Sequence, residues 1–363
     1  MAKVVTDSQN YTDIVHAIRT LRANKSYEYG FIVPPLMPHE IAEWIEVVGE
    51  EVYHNGYMTG AMDSTLDPYI NDQITSISDH AYDGCNAFWV VEFPNVTSIG
   101  AYAFNGCTKM SGANFPVATT IGEYAFKDTG ISAPVFPAAK TIGYYSFGGT
   151  PIWNADFPSA TTVGEGAFYG CKDLTTINFH SVKTVEIDAF RDCDNLKSVS
   201  FPSATTLKAR CFMSCDKLVS ADFPLVTSTN GSIFQGCAKL KTVNFPKVTS
   251  FGGQALYGCD SLEILDFPVL GTIPANCFYS CDNLKALVLR KNGICSLGAT
   301  NALGKTKIAD GKGYIYVPRA WLSDTDSTKD YRRATNWSAY QFRVLEDYTV
   351  DGTTTGALDM SKI

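Results

Sequence analysis

The chain has 363 residues, of which 45% are hydrophobic and only 18% are charged, so it holds ample material for a folded, β-rich core. The formal net charge of −8 argues against nucleic acid as a partner, because contacts with phosphates need a basic surface. No apolar run reaches the roughly 18 residues needed for membrane insertion, and the N-terminal stretch MAKVVTDSQNYTD lacks the basic and apolar regions of an ordinary signal peptide.

Residues 1–66 are predicted to form a small helical N-terminal module. In YTDIVHAIRTLR, the apolar residues Ile14, Ile18 and Leu21 recur at helical spacing. A second helix is predicted in MPHEIAEWIEVVGEEV, behind Pro38. The apolar faces of both helices need a partner, which is either the first coil of the next region or another copy of the chain. The module is therefore predicted to cap the protein or to assemble it into a homo-oligomer.

Residues 67–318 are dominated by an internal repeat. An apolar anchor residue, usually followed by proline, recurs at spacings of 22, 21 and 21 residues and then at 22 for every later step. Proline follows every phenylalanine anchor except one, where His180 takes its place. The anchors are Phe93, Phe115, Phe136, Phe157, Phe179, Phe201, Phe223, Phe245, Phe267 and Leu289.

Other positions repeat in the same frame. Apolar residues precede the anchor by five and mostly by two positions, and an Ala-Phe pair follows it in several copies. Eight of the eleven cysteines lie eight residues before an anchor, and in the two 21-residue copies Thr129 and Thr150, seven residues before theirs, take the equivalent place. The alternation just before the anchor predicts a short strand with one face inward, which the proline ends.

One such unit cannot bury its apolar face alone, whereas a stack of units shares one continuous core. The predicted fold class is therefore a β-rich solenoid of about 10–11 coils of 21–22 residues each. Such a solenoid has a wide surface and no obvious deep cleft.

The cysteines have two interpretations. Because their spacing follows the coil, they are predicted to be buried, reduced thiols that act as small hydrophobic side chains. The alternative is a zinc site at Cys211 and Cys215 or at Cys277 and Cys281. Tetrahedral coordination needs convergent ligands, however, and the members of each pair differ in direction. No metal and no other cofactor is predicted.

Residues 319–363 are predicted to form a C-terminal cap and tail. The preceding segment GYIYVP repeats the strand-and-proline pattern and is interpreted as a last strand ending at Val317. A compact helical cap is predicted next, because a solenoid needs its open ends covered. Its aromatic residues are Tyr331, Trp337, Tyr340 and Phe342.

Catalytic motifs are not evident. The five histidines are scattered and form no HExxH metal-binding motif. The glycines of VGEGAFYG resemble a phosphate-binding loop, but they belong to the repeat and no lysine follows them. Carboxylate pairs suited to glycoside cleavage can arise on any strand face, and nothing in the sequence selects one pair. No enzymatic activity is predicted.

If the protein recognises a ligand, the outward face of the strands is the natural surface. The residues just before the anchors form a mildly acidic row: Glu92, Asn114, Val135, Asp156, Asn178, Ser200, Asp222, Asn244, Asp266 and Val288. The simplest interpretation of this row is a solvated strand surface. Trp89 and Trp153 break the repeat pattern four residues before their anchors and are better candidates for an exposed aromatic contact. The predicted ligand-binding residues are Trp89, Trp153, Asn178, Ser200, Asp222, Asn244 and Asp266.

A further row of aromatic residues follows the anchors by nine positions and is interpreted as packing on the outer face. It consists of Tyr102, Tyr124 and Tyr145.

The unit LTTINFHSVKTVEIDAFRDC at 174–193, with its neighbours TTIGEYAF and SIGAYAFNGC, resembles the bacterial leucine-rich repeats of the BspA-like type, related to those of Treponema. The resemblance covers about residues 71–318, although the anchor here is Phe rather than the more usual Ile or Leu. It implies a leucine-rich repeat stack that is non-enzymatic and serves surface adhesion or protein recognition.

The two flanks carry a second, shorter resemblance. The segments YTDIVHAIRTLRANKSYEYGFIVPPLMPHEIAEWI and IYVPRAWLSDTDSTKDYRRATNWSAYQFRVLEDYTVDGTTTG resemble the ends of phage and prophage tail-associated proteins of Gram-positive gut bacteria. The resemblance implies synthesis in the cytoplasm without a classical signal peptide. It also implies a location on a virion or on a bacterial cell surface.

Taken with the repeat, these features predict a non-enzymatic recognition or adhesion protein that binds a protein or a glycan on a cell surface, as a phage or prophage tail-associated protein. One alternative is a structural spacer or assembly component with no ligand of its own. Others are a bacterial surface adhesin and a glycan-active enzyme.

The predicted role of residues 1–66 in assembly is testable by removing them. Light scattering of the full chain and of the truncated chain gives the molar mass of each in solution. We expect the full chain to form oligomers and the truncated chain to lose them, because the apolar helix faces would be gone. An unchanged molar mass would contradict assembly through these helices.

Overall fold

The structure, a computed structural model, describes residues 69–363. The helices predicted in residues 1–66 lie outside the described residues and remain a prediction. From residue 69 onward the chain winds as a parallel β-solenoid of about ten coils. The predicted fold class is therefore confirmed.

Most coils contribute two short strands, which form two rows along the solenoid. The first row is called here the strand face, and in the repeats its strands end just before the anchor or include it. In the regular repeats, strands of the second row begin five residues after the anchor. The strand face consists of β1 (Tyr69–Ile70), β3 (Val90–Glu92), β5 (Gly112–Asn114), β8 (Asn154–Asp156), β10 (Thr176–Asn178), β12 (Ser198–Ser200), β14 (Ser220–Asp222), β15 (Thr242–Asn244), β16 (Ile264–Phe267), β18 (Ala286–Leu289), β20 (Tyr314–Val317) and β21 (Phe342–Val344). The second row consists of β2 (Ser76–Ile77), β4 (Ser98–Ile99), β6 (Thr120–Ile121), β7 (Thr141–Ile142), β9 (Thr162–Val163), β11 (Thr184–Val185), β13 (Thr206–Leu207), β17 (Thr272–Ile273) and β19 (Ser296–Leu297).

Neighbouring coils pair in parallel, with the same repeat position side by side. β12 pairs with β14, for example, so that Val199 lies opposite Ala221. In the second row, the strands from β2 to β13 form one seven-stranded sheet. Within residues 69–363 the strand face is divided into four sheets, and one division separates β10 from β12 although β11 and β13 remain paired. These two coils therefore separate on the strand face only.

Two other joints of the strand face are irregular. In the 21-residue coil that follows β5, the strand is reduced to a single bridge between Asn114 and Val135, because Pro134 has no N–H to donate. Between β15 and β16, the ring of Phe251 stands 5.6 Å from Phe245 and 5.2 Å from Phe267, measured between ring centroids. The ring of Phe251 thus contacts both anchors at this joint, where the two strands do not pair.

Two ladders of phenylalanine rings form the core. The anchors from Phe93 to Phe245 stack from coil to coil with ring centroids 5.2 to 5.9 Å apart. The phenylalanines eleven residues later form the second ladder, in which Phe190 and Phe212 are 5.4 Å apart. Rings of one ladder also contact rings of the other, so each buried ring has neighbours on several sides.

The cysteines line the same core. All eleven are buried and free, as predicted. In the repeat the thiol donates to a backbone carbonyl of the preceding coil, as Cys215 Sγ does to the oxygen of Phe190 at 3.2 Å. In a 21-residue coil the hydroxyl of Thr150 donates instead to the oxygen of Phe147 at 2.7 Å. The position thus selects a small side chain that carries a hydrogen-bond donor.

Each coil turns through two residues with positive φ, nine and thirteen positions after the anchor. In one coil these are Tyr102, with φ 56°, and Gly106, with φ 69°. Close approach of the coils adds a second constraint, because a Cβ on Gly122 would lie 2.5 Å from the backbone of Gly100. The coil shape is therefore set by backbone geometry as well as by the apolar core.

The C-terminal region closes the solenoid differently from the prediction. The strand ending at Val317 is present as β20, but it is not the last, because β21 pairs beyond it. The predicted helical cap consists of single 3-10 turns at Thr300–Leu303, Arg319–Trp321, Ser327–Lys329, Tyr331–Arg333 and Leu345–Tyr348. The carboxylates of Asp326 and Asp330 each accept a backbone N–H two residues ahead, which ends one turn and starts another instead of extending a helix.

The tail returns over the end of the strand face. Arg290 occupies the repeat's proline position and donates to the carbonyl oxygens of Thr354 at 2.6 Å and Gly356 at 2.9 Å. Val288, predicted to face outward, is fully buried in a cluster with Leu345. That prediction is wrong because a segment far along the chain covers the position.

The phenylalanine ladders predict a large cost for removing one ring. We expect Phe201→Ala to lower the free energy of unfolding by about 3–5 kcal/mol, because the ring is fully buried between its neighbours. Val219→Ala, at a position 41% exposed, should change it by less than about 0.5 kcal/mol. Urea unfolding measures both, and equal effects of the two substitutions would contradict the assigned core.

Candidate functional site

Five of the predicted ligand-binding residues lie in one row on the strand face. Each stands one residue before an anchor, and its inward neighbours pack into the core, so its side chain faces outward. Consecutive members are separated by one coil, which is about 4.8 Å in a parallel sheet. The row members are Asn178, Ser200, Asp222, Asn244 and Asp266.

Hydrogen bonds join neighbouring members of the row. Asn178 donates its amide to Asp156 at 2.7 Å, and Asn244 donates to Asp222 at the same distance. The hydroxyl of Ser200 donates to the other oxygen of Asp222 at 3.3 Å. Carboxylates only accept, so the donor groups of the row turn toward the aspartates, and the amide oxygen of Asn178 is directed elsewhere.

Asp266 has a different role from the rest of the row. Both of its oxygens accept from the guanidinium of Arg290 at 2.7 Å, and the same arginine holds the tail. The side chain of Arg290 is only 11% exposed. Asp266 therefore serves the C-terminal cap in this structure.

The row is interrupted between Asn178 and Ser200, where a depression opens that we call the notch. Its volume is about 280 Å³. The lining residues are Thr176, Ile177, Asn178, Phe179, His180, Ser198, Ser200 and Pro202. The notch combines polar side chains, among them His180, with the apolar residues Ile177, Phe179 and Pro202.

Backbone hydrogen bonds are missing at the notch, as they also are between β15 and β16, where the N–H groups of Glu263 and Phe245 have no partner among the described residues. At neighbouring joints the N–H four residues before the anchor donates to the preceding coil, as Thr175 does to the oxygen of Trp153 at 3.0 Å and Val219 to that of Lys197 at 2.8 Å. The anchor N–H donates to the following coil, as in Phe201 to Asp222. Among residues 69–363, neither the N–H of Lys197 nor that of Phe179 has a partner.

The core remains closed beneath the notch. The rings of Phe179 and Phe201 are stacked at 5.8 Å, and those of Phe190 and Phe212 at 5.4 Å. The notch is therefore a surface opening with a solid base. It coincides with the one coil in which His180 replaces the proline that ends the strand elsewhere.

The two predicted tryptophans are exposed, Trp89 by 39% and Trp153 by 51%. Three coils separate them, or about 14 Å at the spacing of a parallel sheet. The backbone carbonyl of Trp153 accepts from Thr175 in the coil that carries β10. Trp153 therefore stands one coil from the notch, whereas Trp89 lies well away from it.

The predicted tyrosine row packs ring against ring. Tyr102 and Tyr124 are stacked at 4.7 Å, and Tyr124 and Tyr145 at 5.8 Å. Burial raises the pKa of Tyr124 to about 12, with hydrogen bonding to Tyr144 as the next cause. Further along, the same repeat position carries Asp188 and Arg210, which form a two-pronged ion pair. This row holds coils together through its own side chains.

The cysteines offer no reactive group. Burial raises the pKa of Cys171 and of Cys281 to about 12, and it raises the pKa of Cys211 and Cys215 well above the ordinary value. Within residues 69–363, no cluster of three or more histidine, cysteine or acidic side chains has the geometry of a metal site. In the same part of the chain, no helix is long and apolar enough to cross a membrane.

Sequence reasoning located the row but missed the notch. The residues Thr176, His180 and Ser198 were not selected, and the separation of β10 from β12 leaves no trace in the hydrophobic pattern. The one available signal was the departure from proline at His180.

Comparison with known proteins identifies the repeat. The family model described as BspA type leucine rich repeat region (6 copies) matches residues 64–174, 140–262 and 205–309. These matches together span residues 64–309, which is more than half of the 363 residues. No protein of curated function matches the chain.

Solved structures with a similar chain path come from several bacteria. A leucine-rich repeat protein from Bacteroides ovatus is 20% identical, with 75% of this chain and 87% of that chain covered and a TM-score of 0.46. The leucine rich repeat protein of T. pallidum is 24% identical, with 40% and 73% covered and a TM-score of 0.37. A leucine rich cell surface protein from Faecalibacterium prausnitzii is 17% identical, with 74% and 86% covered and a TM-score of 0.33.

Thiol titration tests the inertness of the cysteines. With pKa values of about 12, such thiols are only about one part in ten thousand ionised at pH 8, and burial blocks access as well. We expect a thiol reagent to leave the native protein unmodified on the timescale in which it labels all eleven cysteines in denaturant. Rapid labelling of even one thiol in the native protein would contradict this account.

Proposed function

The chain belongs to the family of BspA type leucine rich repeat proteins, and we propose that it is a non-enzymatic recognition protein whose strand face binds a protein or a glycan on a cell surface. The observation that carries the proposal is the outward row in which Asn178, Ser200 and Asn244 are held by hydrogen bonds to Asp156 and Asp222. Polar groups fixed in this way lose little further freedom when a ligand binds.

Exposed aromatic side chains support the same surface. Trp89 and Trp153 stand where most other coils have small or charged side chains. Tryptophan is enriched at binding hot spots because its large ring buries much area at small entropic cost. A polar row with two tryptophans beside it favours recognition of an extended ligand along several coils.

The location of the protein is a separate part of the proposal. The family resemblance favours a bacterial cell surface, and the flanks favour a phage or prophage tail. The solved structures named above come from bacteria, and the tail-associated location rests on the sequence of the flanks alone. In either location the strand face would meet the surface of another cell.

A cell-binding assay tests the proposal. The protein, carrying a fluorescent label, is mixed with intact Gram-positive gut bacteria and with epithelial cells, and bound label is measured by flow cytometry. We expect the double substitution Trp89→Ala and Trp153→Ala to weaken binding at least tenfold, because loss of one hot-spot tryptophan costs about 2 kcal/mol or more.

The matched control is Leu225→Ala, which removes a side chain that is 37% exposed and lies after an anchor, off the strand face. This variant should bind as the native protein does. If the native protein bound none of these cells, a structural spacer would become the better account. If the double variant bound as tightly as the native protein, the strand face would be the wrong site.

A further inference from the structure

We infer that the notch between β10 and β12 is a subsite for a single neutral pyranose ring of a glycan. The inference deepens the proposed function, because it assumes that the strand face is the binding surface. It rests on the size of the notch and on the hydrogen-bond donors and acceptors that line it. It also rests on the closed core beneath the notch, which excludes a peptide strand.

The size of the notch suits one sugar ring. Pockets for drug-sized ligands span about 300–1,000 Å³, and the notch, at about 280 Å³, lies just below that range. Of its apolar lining residues, Phe179 is only 2% exposed, so Ile177 and Pro202 supply the apolar surface for a ring. Trp153, one coil away and half exposed, is placed for contact with a neighbouring sugar unit.

The notch presents both a donor and acceptors. The N–H of Phe179 has no partner although this residue is only 2% exposed, and an unpaired buried N–H costs about 1–3 kcal/mol. Asn178 donates one amide proton to Asp156, and its carbonyl oxygen is an acceptor. Ser200 donates its hydroxyl proton to Asp222, so the lone pairs of the Ser200 oxygen remain as acceptors.

This combination selects hydroxyl groups. A hydroxyl can accept from the N–H of Phe179 and donate its one proton to the oxygen of Asn178 or of Ser200, whereas an ammonium group only donates and an ionised carboxylate only accepts. No lysine, arginine or carboxylate side chain lines the notch. A sugar ring, which is neutral and carries several hydroxyls beside an apolar face, matches these walls.

The closed core argues against a peptide strand as the occupant. A strand inserted between β10 and β12 would need each neighbour about 4.8 Å away, so the two coils would have to stand about 9.6 Å apart. The rings of Phe179 and Phe201 beneath the notch are 5.8 Å apart. A polypeptide strand therefore does not fit between the coils, and an occupant of the notch rests on the surface above the core.

Saturation-transfer NMR with single sugars tests the inference on the full chain. The probes are glucose, galactose, mannose and N-acetylglucosamine, each added alone. We expect at least one to bind the native protein. Ser198→Tyr should abolish the signal by filling the notch, and Asn178→Ala should weaken binding roughly tenfold by removing one hydrogen-bond acceptor.

The control is Val117→Ala. Val117 is 41% exposed, follows the anchor Phe115 by two residues and so lies off the strand face, and stands three coils from the notch. This variant should bind the sugar as the native protein does. Thermal unfolding of the three variants checks that each remains folded, which we expect because the substituted side chains are on the surface.

Three results would overturn the inference: no sugar binds the native protein, Ser198→Tyr leaves binding unchanged, or n-butylammonium binds the notch in place of every sugar. The cell-binding assay separates such a failure from failure of the proposed function. If Ser198→Tyr binds cells as the native protein does while the tryptophan double variant does not, the strand face remains the binding surface and the notch is not its sugar subsite.

Discussion

Parallel backbone pairing between coils is the constraint on which this structure depends. Because each coil pairs with the next in register, a residue lies beside its equivalent 21 or 22 positions away. A residue type that recurs at one position of the repeat therefore forms a row along the solenoid. The phenylalanine ladders, the buried thiols, the stacked tyrosines and the outward polar row all follow from this single register.

The same constraint supports the proposed recognition function. Pairing in register spreads polar groups along a surface, whereas catalysis needs unlike groups brought together at one point. On the strand face the rows alternate amides and hydroxyls with aspartates, as in Ser200, Asp222 and Asn244. Between β10 and β12, where pairing lapses, backbone groups are left without partners beside a depression of mixed polarity.

Much of the fold was predictable from the sequence, because the spacing of the repeat gives the register of the strands directly. The repeat spacing alone predicts the anchors, the inward positions, the burial of the cysteines and the placement of Asn178 and Ser200. Features set by distant parts of the chain were not predictable. Val288 is buried by the tail, and β21 extends the sheet from a segment with no repeat signal. The notch depends on missing backbone bonds, which leave the side-chain pattern unchanged.

Amide hydrogen exchange measured residue by residue tests the lapse in pairing most directly. The N–H groups of Lys197 and Phe179 have no partner, whereas the equivalent groups of Val219 and Phe201 are bonded to neighbouring coils. We predict that the first two exchange at least about a hundredfold faster than the second two, because unpaired amides exchange without an opening step. Equal protection of all four would mean that β10 and β12 are paired, and it would contradict the notch.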